Sequence, residues 1–407
     1  MKNIILYDSE AVHADMLPLS FTRPVSDFRV GITTISQKWQ RCLPGTYSVY
    51  TAPYLREKFR PAPVEDNLFV AANCLPSPAL ASAISSLEPR QAITLPDGEY
   101  VAFRGSMQMF EELIAGTLEP QAIVFDGPCV PLHRLYDIFL NNGAAILEDY
   151  KALTAGRKSL PLPEGNLLIG SPTLPDGSPA LFIEEGATVM GATINVSGGP
   201  VYIGRDASLL EGCCVRGPLA LCEHAQVNMG AKIYADTTLG PYCKVGGELN
   251  NVVMFGYSNK AHDGYLGNAV IGEWCNIGAG TNASNLKNDY SKIRLWNYPR
   301  RSFLRTDLQF CGLMMGDHSK AGINCMFNTA TVVGVGCNIH GAGFPRPFIP
   351  SFSEGSPTAG FKDVDLKKFF DIAARAMSRR GIELTEQDHR IFQAIFEVAG
   401  TYKGKRD

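Results

Sequence analysis

Residues 201–245 read VYIGRDASLLEGCCVRGPLALCEHAQVNMGAKIYADTTLGPYCKV, with an aliphatic side chain at every sixth position: Ile203, Leu209, Val215, Leu221, Val227, Ile233, Leu239 and Val245. Small or apolar residues, Ala207, Cys213, Ala225, Ala231 and Cys243, recur four places after members of that series. A second run, Met315, Ala321, Phe327, Val333 and Ile339, keeps the step, with Ser319, Cys325, Thr331 and Cys337 in the small position. Tyr265, Ile271 and Ile277 hold it between the two runs. A fixed six-residue repeat predicts a parallel β-helix, in which each short strand sends one aliphatic side chain inward and stacks it on the next coil. The repeat lapses at 246–264 and 284–312, where loops are expected to leave the prism and where a rigid scaffold carries its chemistry.

Upstream the pattern is different. IILY, YSVY, LFVA and AIVF are short apolar runs separated by helix-length stretches, which predicts an α/β domain with a mostly parallel sheet over residues 1–155. Residues 156–180 hold Pro161, Pro163, Pro172, Pro175 and Pro179 with Gly165, Gly170 and Gly177, and read as a linker. The β-helix then spans 181–350. In the tail, 351–407, DLKKFFDIAARAMSRRG and LTEQDHRIFQAIFEVA have helical spacing, with a stop at Gly381.

A length of 407 residues suits two cores. The net charge of -3 excludes a general nucleic-acid or anionic-membrane binder. The first residues carry one Lys and an apolar stretch broken by Asp8, too short for a signal or spanning helix, so a cytoplasmic protein is expected. Eleven cysteines without C-x-x-C pairs predict reduced thiols.

The stretch 258–290, SNKAHDGYLGNAVIGEWCNIGAGTNASNLKNDY, resembles the acetyltransferase half of the bifunctional N-acetylglucosamine-1-phosphate uridyltransferase / glucosamine-1-phosphate acetyltransferase family. That resemblance implies a left-handed winding of the coils and a cyclic homotrimer with acetyl-CoA between subunits. It sets His262 on the catalytic His, Tyr265 on a substrate Tyr and Asn285 on an active-site Asn, with Lys292 near a later Lys. An amino sugar must lose a proton before it attacks a thioester, which suits His262 as general base. Asn285 would orient the amine, Lys260 and Lys292 would meet the sugar phosphate, and Tyr265 the ring. Gly322, Ile323 and Gly341 would line the acetyl-CoA slot. The sequence departs from the family at Asn268, where an Asp is usual, and at Asn285-Leu286-Lys287-Asn288. Plainer readings compete: His262 as a surface His, Asn285 as a turn-stabilising residue, the two lysines as solvated charges, and His224, His318 and His340 as structural.

The segment Leu17–Trp39 resembles the start of sugar-phosphate nucleotidyltransferases, and the domain order matches the bifunctional family too. Yet the phosphate loop is LYDSEAVHADM, with no glycine to let backbone N–H groups approach a triphosphate. Val25 stands where that family has Lys, and Asn73 where it has a metal-binding Asp. Arg23, Arg29, Asn73 and Asp8 are the expected sugar-phosphate and nucleotide contacts, with Lys38 nearby; their plain reading is structural ion pairing. No metal ligand set is assigned, although the resemblance implies Mg²⁺ for nucleotidyl transfer. Three functions follow: a transferase of UDP-N-acetylglucosamine biosynthesis performing acyl and nucleotidyl transfer on sugar phosphate and nucleoside triphosphate; an acyltransferase whose first domain only binds sugar nucleotide; or a trimeric sensing scaffold without turnover.

Overall fold

A computed structural model describes residues 2–403. Contacts divide the chain into two units. The first comprises 1–16, 22–28 and 33–134; the second comprises 17–21, 29–32 and 135–407. The expected architecture, an α/β domain followed by a parallel β-helix and short C-terminal helices, is the one observed.

In the first unit the six-stranded sheet runs Thr46–Tyr50, Asn3–Tyr7, Asn67–Ala71, Tyr100–Gly105, Gln91–Thr94, Gln121–Val124. The first three strands are mutually parallel, while Tyr100–Gly105 lies antiparallel to both its neighbours, so the sheet is mixed. IILY and LFVA form central strands because they are apolar throughout and are buried on both faces. The helix Ile35–Cys42 starts at a capping box formed by Thr34 and Gln37.

In the second unit every strand of the first hexapeptide run pairs in parallel with the strand one coil later, as Leu209 does with Val227 and Val227 with Val245. The aliphatic series forms one buried core from Leu181 to Ile349, with Cys213, Ala225, Cys243 and Cys325 filling the small positions. A thiol or methyl at those corners suits the narrow interior, where a longer side chain would collide with the next coil. The inward residue of 265–266 is Leu266, not Tyr265, which lies half-buried on the outside.

The boundaries differ from the sequence expectation. The helix Leu135–Thr154 belongs to the second unit: Asn142 bonds Asp236 O at 2.8 Å and Thr238 Oγ1 at 3.0 Å, and Ile146 and Tyr150 pack on Phe182, Tyr202 and Ala220. The expected linker already contains a strand, Leu167–Ile169, paired with Thr193–Asn195, because its prolines and positive-φ glycines fall outside those three residues. The prism likewise continues past 350 through Ser353–Ser356, which pairs with Asn338–Ile339 and then, antiparallel, with Gly360–Asp363. The helices Leu366–Ser378 and Glu386–Ala399 follow, separated by Gly381 at φ +68°.

Of the two lapses in the repeat, only one leaves the prism. Residues 284–312 carry a hairpin, Arg294–Asn297 against Ser302–Arg305. Residues 246–264 stay in the wall as Glu248–Gly256, a nine-residue strand paired with Tyr265–Glu273. These two strands bend around a corner at Asn251 (φ +52°) and Asn268 (φ +46°), a conformation that Asn tolerates better than most residues. At another edge, His224, Tyr242, Tyr257, Trp274 and His318 each take φ between +55° and +61° and stack coil upon coil, with Tyr257 and Trp274 ring centroids 4.3 Å apart. His224 and His318 are thus structural members of an aromatic column, which Phe369 and Phe392 of the C-terminal helices close over His318.

Candidate functional site

Lys260 occupies the inward column between Val245, with which it pairs in register, and the coil of Ile277. It is 1% exposed where neighbouring coils place aliphatic side chains. Its Nζ donates to Asp263 O at 3.0 Å and to His262 O, so a buried ammonium holds the turn that follows its strand. Burial pulls its pKa down to about 8. The expected contact with sugar phosphate is therefore corrected: this charge faces two backbone carbonyls.

The turn so held presents His262, exposed. Gly280 N bonds Asp263 O at 2.9 Å, and Gly322 N bonds Ile339 O at 2.8 Å. Through the pairs Asn259 with Asn276, Ile277 with Ala321 and Ala321 with Ile339, the turns at 261–264, 278–280, 322–324 and 340–341 stack along one edge. His262, Gly322, Ile323 and Gly341 thus share it. At its glycines the turns pack backbone on backbone: a Cβ on Gly278 would stand 2.5 Å from the Gly322 carbonyl carbon, and Ile323 is 70% exposed beside it.

Tyr265 and Asn285 meet one strand further on. Asn285 Nδ2 donates to Tyr265 Oη at 3.0 Å and to Asn268 Oδ1 at 2.8 Å. Asn251, with its amide oriented to satisfy its neighbours, accepts from Asn268 Nδ2 at 3.3 Å and donates to Phe139 O at 2.9 Å. The plain reading of Asn285 is therefore present as an asparagine ladder down one corner. Its Oδ1 receives no hydrogen bond among the described residues. Burial raises the Tyr265 phenol, while hydrogen bonds to Asn250 and Asn285 pull it the other way. The Tyr265–Leu266 strand separates this corner from the His262 edge within one chain.

Lys292 is exposed, and its Nζ donates to Asp307 O at the base of the hairpin excursion; it is not joined to Asn285. Sequence reasoning missed a cleft of about 760 Å³ beside Asn285, lined among others by Ser284, Leu286, Lys287, Arg294, Phe303 and Phe344. Its signal lay in the departure Asn285-Leu286-Lys287-Asn288 itself, which puts a cation where the family pattern has none.

In the first unit Asp8 and Asn73 follow the central strands, as expected, but both are committed. Buried Asp8 accepts from Thr51 Oγ1 at 2.6 Å, from Val25 N at 3.3 Å and from His13 Nδ1 at 3.4 Å. Asn73 Nδ2 donates to Leu132 O at 3.2 Å and to Glu99 Oε1 at 3.4 Å. Arg23 and Lys38 are buried. Arg29 lies in the second unit, where Nε donates to Phe255 O at 3.0 Å and Nη1 to Ile32 O. Its guanidinium is thus committed to backbone carbonyls of that unit. Among the described residues no cluster of three or more His, Cys, Asp or Glu could hold a metal. No described helix is long and apolar enough to cross a membrane.

Two comparisons bear on this arrangement. Residues 4–158 match the family model described as sugar nucleotidyl transferase, so a domain of that class stands at the N-terminus. More particularly, the chain is 34% identical over 86 residues to the bifunctional protein GlmU of Trichodesmium erythraeum (strain IMS101). That match spans 21% of this chain and 18% of that protein, under a fifth of its length. Among solved structures, the Francisella novicida UDP-N-acetylglucosamine acyltransferase is 11% identical, with a TM-score of 0.31 over 60% of this chain and 76% of its own. The Arabidopsis UDP-N-acetylglucosamine acyltransferase is 14% identical, with a TM-score of 0.22 over 61% and 99%. Likenesses at these scores carry no conclusion about activity.

Proposed function

We propose that the second unit transfers an acyl group from acetyl-CoA to the amine of an amino-sugar 1-phosphate, with His262 as general base. The observation that supports it is the exposed imidazole on the same edge as the glycine turns and Ile323. Acetyl-CoA, when bound, supplies the acyl group as a thioester. Gly322, Ile323 and Gly341 would seat its arm, and the imidazole would take the proton that the amine must lose. Asn285 Oδ1 and the Tyr265 hydroxyl would orient the sugar from the neighbouring corner. Lys287 and Arg294 replace Lys260 as the cations closest to that corner's cleft, while Lys292 remains exposed on the excursion. Because His262 and Asn285 stand on different edges, a homotrimer would supply the apposition of edges that one chain lacks. Cytoplasmic sugar-nucleotide synthesis is the setting this reading implies.

The N-terminal domain would transfer a nucleotide from a nucleoside triphosphate to the sugar 1-phosphate. A second reading, in which it binds sugar nucleotide without transfer, is favoured by the commitment of Asp8 and Asn73 and by the removal of Arg29 to the other unit. One assay set separates the two. Acetyl-CoA with glucosamine-1-phosphate is followed by free thiol; UTP or dTTP with sugar 1-phosphate is followed by pyrophosphate. Thiol release that falls about 10²–10⁴-fold in His262→Ala supports the acyltransferase, and its absence in the wild type overturns it. Pyrophosphate decides between transfer and binding in the first domain.

A further inference from the structure

The first unit holds a pair of thiols that neither proposed reaction uses. Cys74–Leu75 pairs antiparallel with Val130–Pro131, Cys74 opposite Pro131 and Leu75 opposite Val130. Residues 129 and 131 of an extended chain project to one face, so Cys129 is the diagonal neighbour of Cys74. Each thiol acts on the other: Cys74 holds the Cys129 thiol below its ordinary range, while Cys129 together with burial pushes that of Cys74 up. Their surroundings differ. Cys74 is 1% exposed, its backbone carbonyl taken by Trp39 Nε1 at 2.9 Å. Cys129 is half-buried and lines a cavity of about 300 Å³ with Leu95, Pro96, Asp97, Phe125 and Asp126.

We propose that Cys74 and Cys129 form a reversible redox site, in which a hydroperoxide oxidises Cys129 and Cys74 resolves the product as an intramolecular disulfide. The Cys129 thiolate attacks one peroxide oxygen; the S–O bond forms, the O–O bond breaks, and the departing alkoxide or hydroxide takes a proton to leave as alcohol or water. Sulfur is oxidised by two electrons and the peroxide is reduced by two. Cys74 then attacks the Cys129 sulfur: S–S forms, S–O breaks, and hydroxide leaves as water with the Cys74 proton. The division of labour follows the geometry. The thiol open to the cavity meets the oxidant, and the one sealed beneath it can meet only its neighbour. A thiol reductant reverses the bond by exchange. The link would tie the residue after Asn73 to the segment preceding Leu132, across the carboxyl end of a central strand.

The test is peroxide treatment of the folded full-length chain, alkylation of remaining thiols, and peptide mapping. A Cys74–Cys129 cross-linked peptide, lighter by two hydrogen atoms and lost on dithiothreitol treatment, is the expected result, with two fewer alkylated cysteines than the eleven of the reduced chain. In Cys74→Ser, dimedone should trap a sulfenic acid on Cys129; in Cys129→Ser, Cys74 should stay reduced. Oxidation confined to the exposed Cys42 and Cys214, or Cys129 in disulfides with other partners, overturns the proposal. The wild-type cross-link needs no variant to fold, so a misfolded substitution leaves the test intact.

Discussion

Replacing Lys260 by Met should stabilise the protein at neutral pH, although it removes two hydrogen bonds. The ammonium is held at 1% exposure with a pKa near 8 against an ordinary 10.5. At about 1.4 kcal/mol per unit, keeping it charged in the fold costs about 3 kcal/mol. Its two acceptors are the backbone carbonyls of His262 and Asp263, and Asp263 O keeps the Gly280 N–H at 2.9 Å once the ammonium is gone. Met is close in length and apolar, like the Val245 and Ile277 that occupy the same column. A gain of about 1–3 kcal/mol at pH 7 is expected. The sign of the pH dependence follows from proton counting. Between about 8 and 10.5 the unfolded chain keeps a proton that the folded chain has released, so wild-type stability rises with pH there and is lost again as pH falls through about 8. The Met variant lacks that rise. Urea midpoints of both proteins at pH 7 and pH 10 measure it, since every other titrating group cancels in the difference. A variant less stable at pH 7, or an offset equal at both pH values, would refute the reasoning and give the ammonium a net stabilising role.

Arg29→Ala should leave the KM for nucleoside triphosphate unchanged and lower the unfolding midpoint by the equivalent of about 2 kcal/mol, because its bonds go to Phe255 O and Ile32 O; a raised KM would restore it as a phosphate clamp. Gly240→Ala sets a Cβ 2.0 Å from Phe255 O of the next coil, so a loss of at least about 1–3 kcal/mol is expected in chemical denaturation, and a neutral result would contradict the coil spacing. Trp274→Ala, which opens the aromatic column between Tyr257 and His318, should cost about 3–5 kcal/mol, with Trp274→Phe recovering part of it.

The prism was legible in the sequence because its interior admits one aliphatic per strand, and the series from Ile203 to Val245 is packed as the period requires. The misreadings arise where that period is interrupted. Val227 and Val245 stand eighteen positions apart but Val245 and Lys260 fifteen, so the short coil hid the fact that Lys260 fills a core position. The phase slip also made Tyr265 look inward when Leu266 is. In the first unit, local strand patterns marked where the sheet lies. They carried no information on partners thirty or more residues away, such as Thr51 for Asp8, and, as with Phe255 for Arg29 in the second unit, those partners decide whether a charge is free for a ligand. The edge that gathers His262, Gly322, Ile323 and Gly341 could be anticipated only through family likeness, since stacking register across the 284–312 excursion is not written in any local motif.

The antiparallel strand Gly360–Asp363 has a consequence for self-association. A stack of parallel coils ends in a row of backbone amides and carbonyls that another chain's first coil could continue without limit. Reversing direction at Gly360 fills that row on one face, along Ser353–Ser356, with a partner of the wrong polarity. Deleting the chain from Gly360 onward would then turn a discrete particle into one that grows end to end as filaments.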